Sequence, residues 1–237
     1  MKVCLINQPA GLGDILFTLK IAVKLLHDKK ADKIIWPVSK YYAYISEYIE
    51  IDGLEFVNEE TNFIEREEFQ KNKPGIYYIN DLLVVNLRRA DETIATDGCN
   101  KPMYCKYELV NLKDYSDWST YIPFKRNLER EKKLESVFNI GDKFNLINRV
   151  FATYPNTQYA NINVSKEDIE ITNLGFDRIF DWCGLIEKCN QFHTVETSFC
   201  YIARLLNKKD VFVYPRNIKT DFSYIRKAFP SNWTYVS

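Results

Sequence analysis

The chain has 237 residues, of which 46% are hydrophobic and 27% are charged, a composition typical of a folded globular protein and not of a disordered one. Its 32 Lys and Arg residues balance 32 Asp and Glu residues, so the basic excess of a general nucleic-acid binder is absent. No apolar run approaches the roughly 18 residues of a membrane span, and the N-terminal segment is too short for a signal peptide, which predicts a cytoplasmic location.

The first third of the chain alternates strand-like and helix-like segments. Residues 2–7 are short, apolar and β-prone, which predicts a buried strand, and the loop QPAGLGD follows. Residues 14–28 repeat apolar side chains at helical spacing. The same patterns predict a strand at 33–38, a helix at 39–50 and strands at 54–57, 75–80 and 82–87. This alternation is typical of parallel βαβ units, so residues 1–130 are predicted to form a Rossmann-like domain.

The middle of the chain has weaker patterns. Residues 61–72 are acidic and at best helical, whereas residues 91–120 are polar and rich in Tyr, Asn and Asp. We interpret residues 91–120 as a loop with one short helix and as a possible acceptor-side surface. Residues 125–136 alternate in charge like a solvated helix or linker, which favours a domain boundary after residue 130.

The alternation restarts in the second half. The patterns predict helices at 176–189, 196–206 and 220–229, and strands at 143–151, 159–164, 169–172, 190–195, 210–214 and 233–236. Residues 131–237 are therefore predicted to form a second Rossmann-like domain. The predicted fold class is α/β with two small Rossmann-like domains.

Cysteine and histidine give no metal pattern. The six cysteines include no CxxC pair, and neither His27 nor His193 has the spacing of a metal ligand. We expect reduced, mostly buried thiols, a reducing compartment and no metal site.

The first candidate site is the loop that carries Gly11, Gly13 and Asp14. Glycine allows close approach of the backbone, and a helix N-terminus favours anions, which together suit a phosphate or another acidic group. The loop lacks the Lys-Ser/Thr pair of a Walker A motif and the third glycine of GxGxxG. The alternative is a tight strand-to-helix turn in which Asp14 is the N-cap or a first-turn acid.

The second candidate site joins His193, Glu196, Thr197 and Ser198, at a strand end just before a helix. Glu196 is suited to ribose or sugar hydroxyls, and Thr197 and Ser198 offer hydroxyls and backbone N–H groups to a diphosphate. The alternative is a capping cluster beside a core histidine with satisfied hydrogen bonds. Both candidate sites follow strands, and open α/β sheets bind ligands at the carboxyl ends of their strands.

Two stretches carry a family resemblance. Residues 1–22 resemble the start of the heptosyltransferase-like GT-B glycosyltransferases, a strand, a small-residue loop ending in Gly-Asp and an apolar helix, and Gly13, Asp14 and Thr18 match it. Residues 182–214 resemble the donor-site segment of that family, with Glu196 at the start of its acid-Ser/Thr turn. Glu196 stands where the family usually has Asp, and no glycine follows Ser198.

The resemblance implies a function. It implies a GT-B enzyme whose two domains face a central cleft and which moves a sugar from a nucleotide-diphosphate donor to a glycan hydroxyl. The transfer would be inverting and metal-independent, with no cofactor. It implies that Asp14 is the general base, that Gly11, Gly13 and Thr18 lie on the acceptor side, and that Glu196, Thr197 and Ser198, with the nearby His193, form the donor site. A positive group is needed at the leaving diphosphate. Arg149 is the first candidate for it and Arg216 the second, and the alternative is that either is a surface charge.

Two other functions fit the sequence. One is a different α/β nucleotide- or phosphate-binding hydrolase in which Asp14 is a nucleophile or a metal ligand, and Mg²⁺-dependent activity would favour it. The other is a non-enzymatic carbohydrate-binding or scaffold protein in which the 16 Tyr residues form a stacking surface. Binding of glycans without binding of any nucleotide sugar would favour this second alternative.

Overall fold

A computed structural model describes residues 1–9, 11–58, 74–88, 102–141, 143–151, 157–172, 178–216, 222 and 225–236. The chain divides into two compact units, Met1–Lys125 and Arg126–Ser237. The acidic segment at 61–72 and the first part of the polar segment, 91–101, lie outside the described residues.

The first unit contains one sheet of five strands: β1 Val3–Asn7, β2 Lys33–Val38, β3 Leu54–Asn58, β4 Gly75–Ile79 and β5 Leu82–Asn86. Their order in the sheet is β3-β2-β1-β5-β4. Strand β1 pairs in parallel with β2 on one side and with β5 on the other, and β4 pairs antiparallel with β5. The predicted strands of this half are therefore confirmed.

Helix α1, Leu12–His27, follows β1, and every side chain from Ile15 to Ala22 is buried, so the middle of the helix is enclosed on all sides. It begins two residues before the predicted start because Gly11, with φ of 81°, ends the preceding loop and occupies the N-cap position. The helix predicted at 39–50 is instead a 3-10 helix, Lys40–Glu47. Ile45 is its one fully buried side chain, so this Tyr-rich segment has little apolar surface with which to stabilise an α-helix.

Aromatic packing holds helix α2, Pro102–Leu109, against α1. The ring of Tyr107 lies 4.8 Å from that of Phe17, and the Tyr107 hydroxyl donates a hydrogen bond to the Phe17 carbonyl at 2.6 Å. Burial raises the pKa of Tyr107 well above its usual value. On the same side of α1, a 3-10 helix at Trp118–Tyr121 is held by an ion pair between Lys20 and Asp117.

The second unit contains a five-stranded parallel sheet in the order β12-β11-β10-β6-β9, and a separate pair of short strands, β7 and β8. Its strands are β6 Leu146–Asn148, β7 Val150–Phe151, β8 Gln158–Tyr159, β9 Ile169–Glu170, β10 Phe192–Val195, β11 Val211–Tyr214 and β12 Thr234–Tyr235. The strand predicted at 143–151 is interrupted at Arg149. The strand predicted at 159–164 is wrong beyond Tyr159, because β8 pairs only with the two residues of β7.

The helices of the second unit are α3 Leu128–Glu135, α4 Cys183–Lys188 and α5 Ser198–Leu205, with 3-10 helices at Ile179–Trp182 and Ile225–Lys227. The helix predicted at 176–189 is thus a 3-10 turn that leads into α4. Of the helix predicted at 220–229, residues 222 and 225–229 are described, and Thr220 and Asp221, its predicted caps, lie outside the described residues.

Ion pairs attach the charged helix α3 to the rest of the second unit. Arg130 on α3 holds the carboxylate of Asp181 with two hydrogen bonds of 2.9 and 2.7 Å. Glu131, on the same helix, is buried and accepts a hydrogen bond from Arg126 Nε at 2.9 Å. The predicted solvated helix is confirmed for the exposed residues Leu128, Glu129, Lys132 and Lys133, whereas the face that carries Glu131 and Leu134 is buried.

Four cysteines, Cys4, Cys183, Cys189 and Cys200, are free and buried, as the sequence predicted. Burial raises the pKa of Cys4 and of Cys200 to about 12, so both stay as unreactive thiols at neutral pH. Cys105 is disulfide-bonded, which differs from the prediction of reduced thiols. In the part of the chain that the structure describes, no helix combines the length and the apolar character needed to cross a membrane.

Candidate functional site

The turn between β1 and α1 lies where the strand order of the first sheet reverses. The chain runs from β1 through β2 to β3 on one side, whereas β5 pairs with the other side of β1. At this edge the Asn7 side chain donates to Asn86 Oδ1 at 3.1 Å, and the Leu87 backbone N–H donates to the Asn7 carbonyl at 3.1 Å. The crevice outside the carboxyl ends at such a reversal is the usual ligand site of an open α/β sheet.

Asp14 is a first-turn acid of α1 and not its N-cap. Gly11 occupies the cap position, and its carbonyl accepts the Ile15 backbone N–H at 2.9 Å. Gly13 is the second residue of the helix. Thr18 is fully buried, and its hydroxyl donates to the Asp14 carbonyl at 2.7 Å. The Asp14 side chain is 35% exposed, so its carboxylate is open to a ligand at the edge of the sheet.

Lys106 on α2 is the partner of Asp14 that sequence reasoning missed. Its ammonium group forms an ion pair with Asp14 Oδ1, and its side chain is only 6% exposed. The other carboxylate oxygen, Oδ2, lies on the Gly11 side, where a Cβ added to Gly11 would come within 2.5 Å of it. Lys106 lies in the polar middle segment, and no local pattern there links it to a position 92 residues earlier.

The replacement Gly11→Ala is expected to destabilise the first unit by about 1–2 kcal/mol, since a left-handed backbone costs that much for a residue with a Cβ. The new Cβ would also collide with Asp14 Oδ2. Gly141→Ala is the matched control, because a Cβ at Gly141 meets nothing within 4 Å. Urea unfolding of both variants measures the difference, and equal free energies of unfolding would contradict the requirement for glycine at residue 11.

The second sheet reverses its strand order between β6 and β10. From β6 the chain adds β9 on one side, then crosses over to add β10, β11 and β12 on the other. The carboxyl end of β6 carries Asn148 and Arg149, that of β10 leads to Glu196, and that of β11 leads to Arg216. The structure therefore brings the predicted residues Arg149, Glu196 and Arg216, together with Asn148, to one edge of one sheet.

Thr197 is the N-cap residue of α5 but makes no side-chain cap hydrogen bond. Its hydroxyl instead donates to the Val195 carbonyl at 3.2 Å and accepts from the side-chain amide of Asn148 at 3.1 Å. Asn148 is 1% exposed and also donates to the Thr194 hydroxyl at 2.9 Å. One alternative from the sequence was that these residues form a capping cluster. Thr197 does not cap α5 through its side chain, so this alternative is wrong for Thr197. Ser198 is the first residue of α5.

Each arginine proposed for the diphosphate is paired with a carboxylate. Arg216 Nε donates to the carbonyl of Glu196 at 2.7 Å and lies 2.9 Å from its carboxylate. Arg149 lies 2.7–2.8 Å from the carboxylate of Glu170 on β9, and its guanidinium is 5.9 Å from the centre of the Tyr159 ring. Both guanidinium groups are thus held in fixed positions at the carboxyl edge.

His193 lies in the middle of β10 with both ring nitrogens in hydrogen-bonding distance of a partner. Nδ1 is 3.0 Å from the Tyr214 hydroxyl, and Nε2 is 3.1 Å from Gln191 Oε1. The imidazole stacks on Phe212 with ring centres 4.6 Å apart. Burial lowers the pKa of His193, and the Asp168 carboxylate offsets part of this effect, so the ring is neutral at pH 7. These contacts agree with the alternative stated from the sequence, in which His193 is a core histidine whose hydrogen bonds are satisfied.

Asn148 and Glu170 contact the candidate site residues Thr197 and Arg149, and sequence reasoning did not single them out. Asn148 falls within a predicted strand, and a polar side chain at the end of an apolar strand is the signal that could have marked it. Among the side chains that the structure describes, no group of three or more His, Cys, Asp or Glu residues is arranged to hold a metal ion.

Comparison with solved structures identifies the fold. The structure of the glycosyl transferase family 9 protein from Veillonella parvula DSM 2008 aligns with a TM-score of 0.59 and 13% identity, covering 99% of this chain and 86% of that chain. The E. coli ADP-heptose lps heptosyltransferase II aligns with a TM-score of 0.53 and 9% identity, covering 100% of this chain and 90% of that one. The E. coli heptosyltransferase WaaC with ADP aligns with a TM-score of 0.50 and 10% identity, covering 99% and 92%.

These likenesses confirm the GT-B fold that the resemblance implied. No protein-family model matches the sequence, and no curated protein is significantly similar to it.

Proposed function

We propose that this protein is a glycosyltransferase that moves a sugar from a nucleotide-diphosphate donor to a glycan hydroxyl, with inversion and without a metal ion. The observation that carries the proposal is the carboxyl edge of the second sheet. There, Glu196, Arg216, Arg149 and the start of α5 lie at the reversal of strand order, in a fold shared with a heptosyltransferase crystallised with ADP.

The start of α5 suits the donor diphosphate. A helix N-terminus presents backbone N–H groups and a partial positive charge to an anion. The hydroxyl of Thr197 would otherwise compete for those N–H groups, but its bonds to Asn148 and to the Val195 carbonyl keep it away from them. We assign the diphosphate to this helix end, with hydrogen bonds from the Ser198 hydroxyl and from the backbone N–H groups of Thr197 and Ser198.

Glu196 suits a hydroxyl-bearing part of the donor. Its carboxylate is fixed by Arg216 at 2.9 Å and still has acceptor capacity for ribose or sugar hydroxyls. Arg216 and Arg149 are each partly neutralised by a carboxylate. The charge that stabilises the leaving diphosphate is therefore shared between these guanidinium groups and the helix end. Both ring nitrogens of His193 lie within hydrogen-bonding distance of neighbouring side chains, and its ring stacks on Phe212. We therefore assign His193 a packing role beside the donor site.

Asp14 suits the acceptor step. In the proposed reaction the Asp14 carboxylate takes the proton of the acceptor hydroxyl as its oxygen bonds to the anomeric carbon. The bond from that carbon to the diphosphate breaks, and its electron pair leaves with the nucleotide diphosphate. Gly11 and Gly13 keep the turn free of side chains where the acceptor approaches. Thr18 supports the turn from within α1.

The test begins with donor binding. A thermal-shift panel of UDP-, GDP-, ADP- and CMP-sugars is expected to raise the melting temperature with one nucleotide class, because a ligand of the folded state stabilises it by about 2.7 kcal/mol at 100 times its Kd. The selected donor is then assayed with saccharide acceptors in EDTA. Retained transfer in EDTA supports metal independence, whereas transfer that requires Mg²⁺ or another added metal contradicts it. An α-to-β or β-to-α change in the product, read by NMR, tests inversion.

The replacement Glu196→Gln is expected to raise the Kd of the nucleotide sugar about tenfold or more, because hydrogen bonds to a charged group contribute about 1.5–3 kcal/mol. Isothermal titration calorimetry measures the change. Glu167→Gln is the control, because Glu167 is exposed and precedes β9, at the amino ends of the strands and not at their carboxyl ends. Equal dissociation constants for the two variants would remove Glu196 from the donor site.

A further inference from the structure

We propose that Lys106 is the positioning residue of Asp14, holding one carboxylate oxygen so that the other faces the acceptor. This inference rests on the proposed function and adds to it a residue from the polar middle segment of the chain. It follows from the geometry of α2, α1 and the Gly11 turn.

The first observation is that the two carboxylate oxygens of Asp14 have different neighbours. Lys106 Nζ forms an ion pair with Oδ1. Oδ2 points toward Gly11, so close that a Cβ there would lie 2.5 Å away. A glycine at this position keeps the space beside Oδ2 open. The acceptor hydroxyl therefore has one defined oxygen to approach, because the other is engaged by the ammonium group.

The second observation is that Lys106 is held rigidly. Its neighbours on α2, Tyr104 and Tyr107, pack on Phe17 of α1 with ring centres 6.2 and 4.8 Å apart. Tyr107 also donates a hydrogen bond to the Phe17 backbone at 2.6 Å. Phe17 is one turn from Asp14 on the same helix. The contacts that fix α2 on α1 therefore also fix the ammonium group beside the carboxylate.

The third observation concerns the cost of this arrangement. A largely buried ammonium group is expensive to desolvate, and replacing a buried ion pair with apolar side chains is often neutral or stabilising. Stability therefore does not account for a lysine here. Positioning accounts for the lysine, because the Asp14 carboxylate must meet the acceptor hydroxyl in one orientation. A misplacement of about 1 Å can lower a rate by about 10²-fold.

The test compares Lys106→Met with Lys20→Met. Lys20 is a second buried lysine of the first unit, 5% exposed, and it pairs with Asp117 instead of with Asp14. Both replacements remove a buried ammonium group and leave a carboxylate without it. Melting temperatures of the two variants measure this structural cost, and it is expected to be similar.

With the donor selected by the nucleotide-sugar panel, Lys106→Met is expected to lower kcat about 10- to 100-fold at an unchanged KM for the donor. Lys20→Met is expected to keep the wild-type kcat. Lys106→Arg is expected to recover part of the lost kcat, because it restores a cation on the same helix. In an Asp14→Asn background, Lys106→Met is expected to cause no further loss, because its effect acts through Asp14.

Either of two results would overturn the role of Lys106 and leave the proposed function intact. One is a kcat for Lys106→Met equal to that of Lys20→Met. The other is that Lys106→Met lowers kcat as much in the Asp14→Asn background as in the wild type. Failure of the proposed function is a different result. In that case the wild-type protein transfers no sugar from any donor of the panel, and the role of Lys106 falls with it.

Discussion

The replacement Asp14→Asn is expected to lower sugar transfer by about 10²–10⁴-fold, the usual contribution of a general base, while the fold persists. Asparagine has the shape of aspartate but cannot accept the proton of the acceptor hydroxyl. Transfer rates at saturating donor measure the effect. Asp28→Asn is the control, because Asp28 lies at the other end of α1 and pairs with Lys24 and His27 at the surface. Equal turnover in wild type and Asp14→Asn would exclude Asp14 as the base.

The replacement Asp14→Asn is also expected to lower the free energy of unfolding, because it breaks the ion pair with Lys106. Asp14→Asn removes the carboxylate charge that pairs with the largely buried Lys106 ammonium group, which is expected to cost about 1–3 kcal/mol. The double variant Asp14→Asn with Lys106→Met also removes the ammonium charge and is expected to recover part of the loss. Urea unfolding separates this structural effect from the loss of transfer. A double variant that is less stable than either single variant would contradict it.

The replacement Arg130→Met is expected to cost about 1–3 kcal/mol of stability, because it removes charged hydrogen-bond donors from the buried Asp181 carboxylate while Arg130 itself is 31% exposed. Asp181 is 3% exposed and receives two hydrogen bonds from the Arg130 guanidinium and one from the Arg178 backbone N–H at 2.8 Å. Methionine fills the space of the arginine stem but removes the guanidinium charge and its two hydrogen bonds from the buried carboxylate. Urea unfolding, followed by tryptophan fluorescence to which the adjacent buried Trp182 contributes, measures the loss.

Two further variants test the reason for this loss. Lys132→Met changes an exposed cation on the same helix and is expected to stay within about 0.5 kcal/mol of the wild type. Arg130→Lys keeps the charge but not the two parallel N–H groups, so its stability is expected to fall between those of wild type and Arg130→Met. If Arg130→Met unfolds at the urea concentration of Lys132→Met, the ion pair with Asp181 does not stabilise the second unit.

Local periodicity was sufficient for much of the fold. The strands at 33–38 and 82–87 and the helix that follows the Gly11 loop are set by apolar patterns within a few residues of one another. Where a segment has little apolar surface of its own, prediction failed. The Tyr-rich segment at 40–47 became a 3-10 helix, and the strand expected at 159–164 stopped at Tyr159 because its partner β7 has only two residues.

Charge alternation predicted part of residues 125–136. A helix with exposed charges forms there, as expected, but the sequence shows the charges and not their partners, so it did not show that Glu131 is buried. The partner of Arg130 lies 51 residues further along the chain, on a 3-10 turn whose position depends on the packing of the second unit. Buried charge and exposed charge therefore look alike until the fold is known.

By itself, the sequence determined the two α/β halves and the strand-end turns that carry Asp14 and Glu196, because these follow from spacing along the chain. Only the tertiary structure decided what each group faces: Lys106 beside Asp14, Arg216 beside Glu196, and Asn148 beside Thr197, over separations of 92, 20 and 49 residues. The physical reason is that strand register and helix packing choose the partners of a polar side chain. Neither is encoded in the residues next to it.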